Sequence, residues 1–139
     1  MAGKGRGSST PWRTDQWFVS PWNYLAEVTR DFAFPKSIRF HDVCLRDGEQ
    51  QAGVEFTPKE KVKLAAMLAE AGVQRIEAGM PAVSRYDAQA VRDVVKLNLP
   101  AEIFAFSRCM VEDVKRAVDT GVKGIVMEIP ASEHIIQYA

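Results

Sequence analysis

A chain of 139 residues, 47% hydrophobic and 26% charged, has the length and composition of one soluble globular domain. Its eighteen basic and eighteen acidic side chains cancel, so nothing in the charge balance points to a nucleic-acid or anionic-membrane partner. No apolar run approaches the roughly 20 residues of a membrane span, and the basic, Gly/Ser-rich start, Met1 to Thr10, lacks the apolar core of a secretory signal. Cys44 and Cys109 form no Cys-x-x-Cys pair, so two free thiols in a reducing cytoplasm are expected. Zinc held by thiolates is not expected, because neither further cysteines nor a histidine pair accompany them.

Residues 1–35 read as an N-terminal extension. Residues 1–10 have nothing to bury and are expected to be disordered. Residues 11–35 hold Trp12, Trp17 and Trp22 along with Phe18, Tyr24, Phe32 and Phe34. Ser20-Pro21 resembles an N-cap followed by proline at the first helical position. With Leu25, Val28 and Phe32 at helical spacing, this predicts a short helix near 21–31 in an aromatic-rich arm folded back on the main domain.

The main domain, residues 36–139, alternates strand and helix. Ile38 to Leu45 predicts the first strand. Thr57-Pro58-Lys59-Glu60 is a capping box with proline in the first turn. The helix it opens is expected to present Val62, Ala65, Ala66 and Ala69 to the core and to stop at Gly72. Arg75 to Met80 predicts a second strand. Ser84 and Asp87 cap a second helix with Val91, Val94 and Val95 on its apolar face, ended by Asn98 and Pro100. Glu102 to Ser107 is a third strand. Met110, Val111, Val114, Ala117 and Val118 mark a third helix stopped at Gly121, and Gly124 to Ile129 a fourth strand apolar enough to be buried on both faces. A further helix begins near Ile135. Gly72-Val73-x-x-Ile76 recurs as Gly121-Val122-x-x-Ile125, so the same helix-to-strand joint is used twice.

This is an α/β pattern of four βα steps with no Gly-x-Gly-x-x-Gly, which favours barrel geometry over a dinucleotide-binding fold. A TIM barrel has eight such units in about 250 residues. Four units are therefore expected to be an incomplete barrel. On this reading the chain is the N-terminal part of a larger protein, or a half that pairs with another half or with itself through open strand edges.

The chemistry-bearing residues gather where strands end, the rim at which barrels do their work. Leu45-Arg46-Asp47-Gly48-Glu49-Gln50 places a cation, two carboxylates and an amide around one glycine after the first strand. Glu77 ends the second strand, Ser107 and Arg108 the third, and Ser132 follows the fourth. From spacing alone Asp47 reads equally as a structural residue, capping the following turn or pairing with Arg46, and as a functional one. Glu77, in an apolar strand, needs a partner, and Arg46 is the candidate. His41 reads as a packed or edge histidine, and His134 carries no assignment.

The Leu-Arg-Asp-Gly-Glu-Gln run, with Ile76-Glu77-Ala78-Gly79-Met80-Pro81-Ala82, resembles the first half of the catalytic barrel shared by isopropylmalate, homocitrate and citramalate synthases and by hydroxymethylglutaryl-CoA lyase. That superfamily carries the pyruvate carboxyltransferase domain. The resemblance implies a Claisen-type acyltransferase that condenses acetyl-CoA with a 2-oxo acid. It makes Asp47 a ligand of a divalent metal (magnesium, manganese or zinc). Arg46 becomes the stabiliser of the developing enolate or oxyanion, Glu77 a further catalytic residue, and Gln50 a substrate contact beside Arg46. Ser107, by its place at a strand end, is a further candidate substrate contact, though Ser107 and Arg108 read as structural or phosphate-facing rather than catalytic. The Met-Pro-Ala after the second strand is similar to the synthase branch. A lyase running the reaction backwards, and a non-catalytic half-barrel subunit or fragment, are the alternatives. Two departures stand out. Val43-Cys44 replaces the family's paired threonines, and the family's His-x-His metal ligands are absent from these 139 residues, so the chain alone is expected to be inactive.

Overall fold

A computed structural model of the chain describes residues 10–138, which divide into two compact units at the Ile38/Arg39 boundary. The expected disordered stretch, 1–10, falls almost wholly outside these residues. In the first unit Ser20 accepts the Trp22 N–H (3.3 Å) and opens a 3-10 turn, Pro21–Tyr24. A single α-turn follows, α1 (Ala26–Thr29). The expected helix near 21–31 is thus two short turns, parted by Leu25 in an extended conformation (φ −70°, ψ 135°). Trp12 packs on Tyr24 and Phe32 edge-on to Phe34, with ring centroids 5.9 and 5.5 Å apart.

In the second unit four parallel strands, β1 (His41–Asp42), β2 (Arg75–Glu77), β3 (Glu102–Arg108) and β4 (Gly124–Glu128), lie side by side in chain order. Between and after them run α2 (Pro58–Glu70), α3 (Arg85–Lys96), α4 (Val111–Val118) and α5 (Glu133–Tyr138). Sequential order with no reversal is the winding of a barrel wall, whereas a doubly wound sheet reverses at a switch point. No helix among the described residues is long and apolar enough to cross a membrane.

Local chemistry sets the helix bounds. Thr57 and Glu60 form the reciprocal capping box, with Thr57 Oγ1 accepting the Glu60 N–H (3.3 Å) and Glu60 Oε2 the Thr57 N–H (2.8 Å). Ser84 Oγ accepts the Asp87 N–H (3.1 Å) at the start of α3. Gly72 and Gly121 follow α2 and α4 with φ of +91° and +83°, the left-handed stop that side chains resist.

The core lies between one face of the sheet and α2 and α3: Leu45, Ala65, Ala69, Ile76, Ala78, Val91, Val94, Ala101 and Ile103. Along β3 Ile103, Ala105 and Ser107 alternate with Glu102, Phe104 and Phe106. At the N-terminal end of the strands Glu102 pairs with Arg75 (2.9 Å) and Arg39 (3.3 Å), and the Arg75 guanidinium lies over Phe104. Gly124 pairs in register with Phe104, and a Cβ there would overlap the Phe104 ring, so a glycine at this point lets β4 reach β3.

Several expectations need correction. β1 is two residues, not Ile38 to Leu45. Asp42 Oδ1 takes the Cys44 N–H (3.0 Å), and the Val43 carbonyl accepts from Arg46, Asp47 and Gly48, so the chain turns before a longer ladder can form. In α2 Ala66 faces solvent, and the buried positions are Lys61, Ala65 and Ala69. In α4 Val111 and Val118 are exposed while Ala117 and Asp113 are buried. β4 is not covered on both faces: it is an edge strand among the described residues, and Met127 is exposed.

Candidate active site

The turn that follows β1 is built by the Val43 carbonyl, which accepts the Arg46 and Asp47 N–H groups (3.1 and 2.7 Å), and by the Gln50 N–H donating to the Asp47 carbonyl (3.0 Å). These bonds wind residues 43–50 into a tight coil that ends in a 3-10 turn, Gly48–Gln50. Leu45 points into the core, 1% exposed, and so sends Arg46 the other way, toward the end of β2.

There Arg46 meets Glu77. The Arg46 Nε donates to Glu77 Oε1, and its Nη1 donates to Asp47 Oδ1 (2.8 Å) and more distantly to Gln50 Oε1 (3.5 Å). The guanidinium carbon sits 4.4 Å from the centre of the Phe106 ring, a cation–π contact. Arg46 Nη2 has no hydrogen-bond partner among the described residues and is the donor left for an incoming oxygen. The Glu77 side chain is 2% exposed, and its second oxygen lies 3.2 Å from His41 Nε2. A buried carboxylate needs such partners, because its desolvation cost exceeds what one imperfect contact returns.

Arg46, Asp47, Gln50 and Glu77 are therefore joined in one network. Arg46 and Gln50 also share a cavity of about 260 Å³ with Glu49, Met80 and Asp87. Ser107 does not join them: it is fully buried, and its hydroxyl donates to the Arg108 carbonyl (2.8 Å). Arg108 instead forms a 2.6 Å ion pair with Asp113 at the start of α4. His134 packs on Tyr138.

Sequence reasoning missed two members. His41 stands next to Glu77 because β1 and β2 pair in parallel with His41 opposite Arg75, which brings residues 41, 75 and 77 to one face. Period-2 alternation would have shown this once the register was known. The other is Phe106, the platform under Arg46, which sits on the same face as Phe104.

Both cysteines are free and exposed. The Cys44 Sγ contacts Asp42 Oδ2 (3.2 Å), and this hydrogen bond to a carboxylate pushes the thiol above its ordinary pKa, away from thiolate chemistry. Asp47 is 59% exposed, with Oδ2 free of hydrogen bonds among the described residues, and suits a hard cation. Yet no group of three or more His, Cys, Asp or Glu among those residues could hold a metal ion. The donor set present is one ligand and not a site.

The main unit is similar to known proteins. The HMGL-like family profile matches residues 37–139. Homocitrate synthase AksA of Methanopyrus kandleri is 42% identical over 110 residues, 79% of this chain and 28% of that protein. 2-Isopropylmalate synthase 2 of Caldanaerobacter subterraneus subsp. tengcongensis is 36% identical over 107 residues, 77% of this chain and 28% of that protein. Homocitrate synthase AksA of Methanocaldococcus jannaschii is 39% identical over 103 residues, 74% of this chain and 25% of that protein. The chain thus spans 25 to 28% of the length of these relatives. With the profile covering the whole βα unit and its strand-end cluster, the chain belongs to the HMGL-like family.

Proposed function

We propose that this chain carries part of the active site of a Claisen-type synthase, in which the acetyl group of acetyl-CoA is condensed with a 2-oxo acid. The observation that carries the reading is Arg46, fixed through Nε by Glu77, through Nη1 by Asp47 and at its guanidinium carbon by Phe106, with Nη2 left to donate. In the condensation a base takes a proton from the acetyl methyl group, and negative charge grows on the thioester oxygen as the enolate forms. As the enolate carbon bonds to the ketone carbon of the 2-oxo acid, the charge passes to the former ketone oxygen, which takes up a proton, and water then cleaves the thioester to release the CoA thiol. A guanidinium is always charged and planar, so it meets that charge without reorganising. Gln50, beside Arg46 in the same cavity, offers an amide to the substrate. Glu77 holds the guanidinium edge and orients it.

A divalent ion would supply Lewis-acid polarisation of the ketone, with Asp47 as one ligand. The described residues supply no second ligand set, so the remaining ligands come from elsewhere, in cis or from a partner. Acetyl-CoA and the 2-oxo acid are the substrates on this reading, and the Ile-Glu-Ala-Gly-Met-Pro-Ala strand end favours the synthase over the lyase direction.

The test is thiol release from acetyl-CoA with 2-oxoisovalerate, 2-oxoglutarate or pyruvate, with magnesium or manganese. It is run on the 139-residue chain and on the longest protein that contains it. Turnover dependent on a 2-oxo acid is expected only from the longer protein. Its absence there with all three acids would overturn the reading.

A further inference from the structure

The side chain in the main unit least expected where it lies is that of Lys61, 1% exposed. It sits in the first turn of α2, where the helix dipole disfavours a cation and helix stability gains nothing from it. Burying an ammonium costs several kcal/mol unless partners offset it, so the partners reveal its use. Lys61 Nζ lies 2.6 Å from Glu49 Oε2 and 3.6 Å from Asp87 Oδ1.

Each carboxylate is itself engaged. Glu49 Oε1 accepts the Phe56 N–H (2.9 Å), which closes the loop from the site turn to the start of α2. Asp87 Oδ2 accepts the Ser84 hydroxyl (2.6 Å) at the cap of α3. Gly79, from the end of the second strand, passes so close that a Cβ would stand 3.3 Å from both Lys61 Nζ and Val91. Glu49 and Gly79 belong to the two motifs that mark this chain, yet the hydrogen bonds and ion pairs of the Arg46 side chain go to Glu77, Asp47 and Gln50. What they share is this ammonium.

We infer that Lys61 is a positioning residue: through Glu49 it clamps the 46–50 turn, through Asp87 the start of α3, and so sets where Arg46 and Gln50 stand in their cavity. The exposed backbone turn holding Asp47 and Gln50 has no other ion pair to the helix layer among the described residues. A displacement of about 1 Å at a transition-state donor costs on the order of 10² in rate, so the clamp matters to turnover although it touches no substrate.

Only the activity arm of the test rests on the proposed reaction. Hydrogen exchange over residues 44–56 is measured in the 139-residue chain for Lys61→Met, for Lys61→Met with Glu49→Gln, and for Glu49→Gln alone, with melting temperature recorded alongside. The double variant removes the orphaned carboxylate while keeping an acceptor for Phe56. Its melting temperature should recover most of what Lys61→Met loses. Exchange at the 46–50 amides should stay about tenfold or more above wild type in all three variants, with α4 unchanged. Wild-type exchange at 46–50 in the double variant would overturn the clamp and leave Lys61 a stability residue. In the longer protein the double variant should lose about 10²-fold in kcat with KM little moved, and recovery of kcat together with melting temperature would also overturn it. Should the wild-type protein show no condensation at all, the proposed reaction fails while the exchange result still decides the clamp.

Discussion

Arg46 shows how much of a site one side chain can organise, and why its shape counts as well as its charge. Lysine at this position keeps the cation but lacks the planar fork that meets Glu77 and Asp47 through separate nitrogens above the Phe106 ring. Arg46→Lys in the longer protein should therefore lower kcat by about 10²-fold or more with KM little changed, read from steady-state kinetics. Asp47→Asn should behave differently. Its activity should partly return as magnesium or manganese is raised, since a neutral amide is a poorer ligand for a hard cation. Wild-type kinetics in both variants would reduce the cluster to a surface turn. The pairing of Arg46 with Glu77 was readable before any coordinates, because a carboxylate in an apolar strand demands a cation and Arg46 follows the neighbouring strand. The contact of His41 with the same carboxylate was not, because it depends on strand register.

At the scale of elements, the ends of helices were legible and their buried faces less so. Thr57 with Glu60 and Ser84 with Asp87 are short-range patterns whose hydrogen bonds close within four residues, so sequence contains all the partners. The face of α4 was misjudged because Asp113 is drawn inward by Arg108, a residue on the preceding strand. That pairing, chiefly the Arg108 hydrogen bond, holds the Asp113 carboxyl below its ordinary pKa. A depressed carboxyl pKa stabilises the fold above the unfolded value, near 3.8, and the contribution is lost as pH falls through the folded value. Asp113→Asn should consequently lower the melting temperature near neutral pH. The gap to wild type should close on acidification below about pH 4, as followed by circular dichroism. A gap independent of pH would mean that packing, not charge, is what Asp113 contributes.

For the molecule as a whole, the parallel sheet leaves β1 and β4 as edges among the described residues, with Met127 and Ile129 exposed at and beyond β4. Unpaired parallel edges and exposed apolar side chains favour association. The purified 139-residue chain should sediment as a dimer or larger at micromolar concentration, and a well-folded monomer with sharp thermal unfolding would contradict this. The alternation of strand and helix, the helix caps, the glycine stops and the strand-end cluster all follow from the sequence by itself, because each depends on residues a few positions apart. Tertiary structure alone decided that His41 reaches Glu77 and that Lys61 is buried between Glu49 and Asp87, whereas β1 is cut to two residues by the local bonds of Asp42 and the Val43 carbonyl. Both contacts depend on partners 12 to 36 residues away, such as Glu49 for Lys61 and Glu77 for His41. Parallel register and helix packing set those distances, and no local pattern records them.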